Sequence, residues 1–253
     1  MGLVVGTCFQ HNPATQPQAF TVLGYLAADE LDDDLVYQIL VAMSTTLSHM
    51  SETDTVLLNS MLRCLARTVP GLLPDSRYAS SLFWLAFAIT EMGYIPLFGA
   101  ALELMLVAIK SLNEDMTIDR VASHLLEVRR AMGDPARRID QIAGVSLDRD
   151  PSFCLAAIII KGVRHPSTCD IAKEVLMELL KMTVSQHHSS GSEDASTPLI
   201  PKNSVAYFIA LFPVSANNVE DIRALFIAAG LEVDEESLKG LGTLSIFDLL
   251  SIP

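Results

Sequence analysis

The residues of this chain best suited to chemistry are its clustered arginines, its aspartate run, its histidines and its cysteines. Arg129, Arg130, Arg137 and Arg138 stand close together, with Lys161 and Arg164 not far along the chain. Guanidinium groups bind carboxylates and phosphates in a fork geometry, so these four arginines are a candidate interaction patch for an acidic partner or a phospholipid headgroup. The structural alternative is a solvated helix face. Asp32-Asp33-Asp34 could hold a cation, but the run lacks the spaced oxygen ligands and turn glycine of a calcium loop, and the field at a helix N-terminus explains it.

His165-Pro166 follows Arg164 at a corner between two helices, where no proton-transfer partner is indicated. His187 and His188 are adjacent, point in different directions and fall in a polar tract, which suits adventitious metal binding at most. Cys8, Cys64, Cys154 and Cys169 contain no C-x-x-C pair. They form neither a zinc framework nor a disulfide scaffold, and a reducing, intracellular compartment is the expectation. Trp84 lies among Phe83, Leu85 and Phe87 and reads as core. There is no G-x-x-x-x-G-K-[ST], G-x-S-x-G or H-E-x-x-H, and Gly240-Leu241-Gly242 lacks both a third glycine and a preceding strand. No catalytic residue, cofactor or metal is therefore expected.

Charge narrows the partner further. The chain carries 17 basic and 30 acidic side chains, a net charge of −13. Residues 1–119 contribute −9, residues 120–164 contribute +3, and residues 165–253 contribute −7. Such a surface repels a phosphate backbone, so no nucleic acid partner is expected. The apolar region from Leu82 to Ile109 is interrupted by Glu91, Pro96 and Glu103, and on that reading no run spans a bilayer. The first residues lack the basic and long apolar regions of a signal peptide.

The elements that must position these residues all read as helices, because no stretch sustains period-2 alternation. Pro17 opens the first, to about Ala28. Asp32–Asp34 precede a second, with Leu35, Ile39, Leu40, Met43, Leu47 and Met50 as its apolar stripe and Gln38, Thr45 and His49 on the other side. Ser51-Glu52-Thr53-Asp54 resembles a capping box, and Pro70-Gly71 stops the helix it starts. The stretches near Ser76–Glu91 and Pro96–Leu112 are apolar nearly all round and should lie at the centre of the packing. Further helices are expected over about 118–132, from Pro151 through the isoleucine run, after Ser167-Thr168-Cys169-Asp170, and after Asn217.

Residues 1–185 thus form a helical repeat segment, residues 186–201 a polar, disordered insertion, and residues 202–253 continuing helices and a tail. Hairpins starting near residues 17, 53 and 96 are offset by about one HEAT or armadillo period. The fold class is all-α, an irregular HEAT/armadillo-like α-solenoid, with a helical bundle as the second choice.

Several stretches resemble one family. Ala19-Phe20-Thr21-Val22-Leu23-Gly24-Tyr25-Leu26-Ala27 is similar to the "A-x-x-V-L-G-x-x-A" helix of neurofibromin and the fungal Ira-type inhibitory regulators of Ras. Leu82-Phe83-Trp84-Leu85-Ala86-Phe87-Ala88-Ile89 and Leu97-Phe98-Gly99-Ala100-Ala101-Leu102-Glu103-Leu104 resemble its "L-F-W-x-A-x-A" and "L-Y-x-A-G-x-x-L-L" pair. Ile160-Lys161-Gly162-Val163-Arg164-His165-Pro166-Ser167 resembles "L-K-G-x-R-H-P-S", the most specific of these matches. Ser204-Val205-Ala206-Tyr207-Phe208-Ile209-Ala210-Leu211 is similar to "S-V-A-Y-L-A-A-L".

The resemblance implies the helical region that follows the GTPase-activating (GAP) and lipid-binding modules of such proteins. It implies a non-catalytic scaffold in negative regulation of Ras signalling, cytoplasmic or peripheral at membranes through the parent protein. Protein partners are implied, including self-association through the parent's homodimer, and Ras itself through a GAP module absent from this chain. No "F-L-R" signature occurs, so no catalytic or lipid-binding residue carries over. The chain departs from the family in its shortness and its acidic C-terminal tail. The alternatives are a HEAT-type adaptor unrelated to Ras and, from another class, an enzyme in its own right.

Overall fold

The computed structural model describes residues 2–10, 12–28, 32–49, 51, 54–73, 76–115, 121, 124–131 and 151–188. Among these the structure is overwhelmingly helical and contains no strand, as the periodicity predicts. The helices are α1 (Gly2–Cys8), α2 (Gln16–Leu26), α3 (Asp33–Ser48), α4 (Thr55–Thr68), α5 (Tyr78–Glu91), α6 (Ile95–Asp115), α7 (124–131), α8 (Pro151–Arg164) and α9 (Cys169–His188). The chain forms two compact units, one of residues 1–116 and 127–146, the other of residues 117–126 and 147–253.

Local chemistry sets the helix ends of the first unit. Pro17 lies in the first turn of α2, where its missing N–H costs nothing. The Asp32 carboxylate accepts the Leu35 N–H at 2.7 Å and caps α3. Asp33 accepts the Ser76 hydroxyl at 2.6 Å and lies 4.0 Å from the Arg77 guanidinium, tying the start of α3 to the approach to α5. The expected capping box shows its acid half. Asp54 accepts both the amide (2.9 Å) and the hydroxyl (2.7 Å) of Ser51, the reach-back of the acid to the serine that the box requires. A 3₁₀ turn at Val69–Gly71 ends α4 at the expected proline and glycine. The turn from α5 to α6 passes through Gly93 at φ +67°, a conformation that a Cβ would strain.

Packing arranges these helices so that α1 lies on α2, α2 on α4, α4 on α6, and α6 on α5. Every second helix from α2 to α6 therefore joins one row. The row is tight: a Cβ on Gly24 of α2 would come within 3.1 Å of the Cys64 Cα on α4. Two hydrogen bonds clamp α4 to the α5–α6 turn, Thr55 with the Tyr94 hydroxyl (3.1 Å) and the Asn59 amide to the Pro96 carbonyl (3.0 Å).

The core is centred on α5 and α6, where the all-round apolar pattern places it. All but one of the residues Tyr78–Thr90 are buried. Trp84 meets Phe83 and Phe87 edge to face, with ring centroids 5.1 and 5.5 Å apart, a geometry favoured by the ring quadrupoles. One expectation changes here. Ile95–Asn113 of α6 is long and apolar enough by length and composition to cross a membrane, because Glu103 and Lys110 alone do not interrupt it. More than half of that stretch is buried within the protein, and Glu103 pairs with Arg63 of α4 at 3.9 Å.

α3 is the exception to dense packing. Its buried residues are Val36, Ile39 and Met43, whereas Leu35, Leu40 and Leu47 of the expected stripe are only half-buried. The inward face is thus narrower than the stripe but centred on it. Gln38, Thr45 and His49 are exposed as expected, and Tyr37 and Val41, 57% and 48% exposed, stand on the flank between the two sides.

In the second unit α8 begins at Pro151 as its cap pattern predicts, and its isoleucine run is helix rather than strand. α8 packs on α9. Leu155, Ile158, Ile159 and Val163 are buried on the first, and Ala172, Val175, Leu176 and Leu179 on the second. α9 continues to His188, so Gln186–His188 are helical rather than part of an insertion. The rest of that stretch, and the helices and tail expected after residue 201, lie outside the described residues.

Candidate functional site

Each sequence candidate for chemistry that falls on described residues has a structural role in reach. The Arg129 guanidinium carbon lies 5.3 Å from the Trp84 ring centroid, a cation–π contact that draws this arginine toward the core of its own unit. Arg130, its neighbour on α7, is exposed. Successive helical residues diverge by about 100°, so the two do not form one fork. Arg137 and Arg138 lie outside the described residues.

Lys161 and Arg164 are exposed in the last turn of α8, where cations favour the negative end of the helix dipole. The corner that follows is held from within. The Thr168 hydroxyl, buried, donates to the Gly162 carbonyl at 2.8 Å, and the Thr168 N–H donates to the His165 carbonyl at 3.0 Å. The His165 ring nitrogen Nδ1 meets the Ser167 hydroxyl at 2.8 Å on the surface. This constellation joins two helices at a fixed angle and presents no paired base and nucleophile in a cleft.

The thiols of Cys8 and Cys64 are buried, and burial pushes them up to about 11 and about 12. They stay protonated and inert near neutral pH. Ser51's hydroxyl and amide hold the exposed Asp54 carboxyl below its ordinary range. No group of three His, Cys, Asp or Glu among the described residues could hold a metal ion.

The feature that sequence reasoning missed is a groove of about 720 Å³ beside α3. Tyr37, Gln38, Val41 and Thr45 line it from α3, and Leu57 and Met61 from α4. Phe9 and Pro13, between α1 and α2, also line it, as do His49 and Asp54 at the approach to α4. It exists because α3 turns a narrow apolar face inward and leaves Tyr37 and Val41, one helical turn apart, beside the space so formed. That i, i+4 pair, off the main stripe, is the signal by which the groove could have been found. Its lining mixes aromatic, aliphatic, amide and hydroxyl side chains with one imidazole, His49, and one carboxylate, Asp54, a surface that suits recognition by shape, apolar contact and charge.

No family model matches the chain. Fold and surface together define an all-α protein with a dense helical core and an open, amphipathic groove.

Proposed function

We propose that the chain is a non-catalytic α-solenoid scaffold of the kind found in neurofibromin-like regulators of Ras, acting in negative regulation of Ras signalling through protein contacts. The observation that carries the scaffold reading is the row α2–α4–α6, in which every second helix stacks on the last, as in HEAT and armadillo arrays. The Ras assignment rests on the resembling stretches. Two of them form the α5–α6 pair at the core, and a third forms the α8–α9 corner with its buried Gly162 and Thr168. Residues that hold such elements together are those a shared fold requires.

Reading the complete transcript tests the assignment. A GAP module encoded in frame upstream supports it, and a complete transcript without one leaves a HEAT-type adaptor unrelated to Ras. The non-catalytic part has its own assay, phosphate release from GTP-loaded Ras with the purified chain in excess. GAP acceleration of about 10⁵ needs an arginine inserted in trans and an ordered glutamine. No acceleration is expected, and a tenfold increase abolished by Arg130→Ala would make the chain an activator itself.

A further inference from the structure

The groove beside α3 lies in the most one-sidedly charged part of the chain. All its lining residues, from Phe9 to Met61, come from residues 1–62. That segment holds seven carboxylates (Asp29, Glu30, the Asp32–Asp34 run, Glu52 and Asp54) and neither a lysine nor an arginine. Asp54 lines the groove, and Ser51's hydrogen bonds favour its charged form. Asp34 is exposed one helical turn before Gln38, on the same face of α3. Asp54 thus lies in the lining with His49, and Asp34 lies just before it on α3, flanking a strip of Tyr37, Val41 and Leu57 over the buried Met61.

The dimensions suit a helix. The stretch of α3 that lines the groove, Tyr37 to Thr46, rises about 14 Å at about 1.5 Å per residue, and anchors at i, i+4 and i+7 of a partner helix span about 10 Å. We propose that this groove binds a basic amphipathic α-helix of a partner protein, its apolar anchors seated between α3 and α4 and its Lys or Arg side chains facing Asp34 and Asp54. An acidic helix, or the same acidic region of a second copy, would meet like charge there. The inference rests on the protein-interaction part of the proposed function and is independent of Ras.

The probe is a fluorescein-labelled 14-residue peptide of leucine and lysine alone, with leucines at helical spacing, titrated with the full chain and followed by anisotropy. Saturable one-to-one binding that weakens with salt is expected. Val41→Arg should weaken it at least tenfold and Tyr37→Ala less. Val56→Arg, at a residue 63% exposed on α4 and outside the groove, should leave it unchanged. Circular dichroism on each variant separates loss of binding from loss of fold.

Three outcomes overturn the proposal: equal binding of a leucine–glutamate peptide, binding indifferent to Val41→Arg, or self-association of the chain abolished by Val41→Arg, which would give the groove to a second copy. A transcript without a GAP module removes the Ras assignment and leaves this result untouched.

Discussion

The α5–α6 pair and α3 belong to the same compact unit and use their apolar residues in opposite ways. α5 buries nearly its whole circumference, with Trp84, Phe83 and Phe87 forming one ring cluster. α3 buries three residues and leaves Tyr37 and Val41 in the open. Burial of apolar area is the main favourable term in folding, so the pair around Trp84 carries stability. α3 commits less of its surface to the fold, and the remainder borders the groove. One compact unit thus holds both a helix that is nearly all core and a helix that is mostly surface.

The most severe test of that division is Trp84→Ala. Truncating a buried aromatic side chain removes the ring contacts and leaves a cavity, with an expected loss of about 3–5 kcal/mol in a urea titration. A loss below about 1 kcal/mol would mean that the core lies elsewhere.

Alkaline pH probes the buried thiols beside the same row of helices. Burial pushes the folded Cys8 and Cys64 thiols up to about 11 and about 12, against about 8.5 for an unfolded cysteine. The raised values stabilise the fold fully below the unfolded pKa, and that contribution is lost as pH rises through the folded values, because the unfolded chain releases its protons first. The urea midpoint should fall between pH 8.5 and 11. A Cys8→Ala, Cys64→Ala double variant should show a flatter dependence, and equal slopes would contradict burial as the cause.

At the edge of the groove the effects should be smaller. Asp32→Ala removes the cap of α3 and should cost about 1 kcal/mol. Val41→Arg should change stability by less than about 0.5 kcal/mol, since nearly half of that side chain is already in water. If Val41→Arg cost more than Asp32→Ala, α3 would be a core helix and the contrast with α5 would fail.

Much of this fold was legible in the sequence because its signals are local. Pro17 in the first turn of α2, Asp32 before α3, Pro70-Gly71 after α4 and Pro151 at the start of α8 act through neighbouring backbone, and each stands where the spacing predicts. The aromatic run around Trp84 announced the core because no other arrangement hides so many apolar side chains. The groove was not legible in the same way. Both Val36 and Leu35 fit an apolar face of α3, and only the position of α4 decides which is buried. Arg129 likewise reads as part of a basic surface until the fold brings it within cation–π distance of Trp84, 45 residues earlier in the chain.

By itself, then, the sequence determined that the described residues are helical, where α2, α3 and α8 start and α4 stops, and which pair forms the core. Tertiary structure decided that Tyr37 and Val41 border a groove, that Gly24 must stay small against Cys64, and that Arg129 meets the Trp84 ring. Helix caps and periodicity are fixed within a few residues, whereas a groove is the gap left between two helices and depends on how closely each can approach the other.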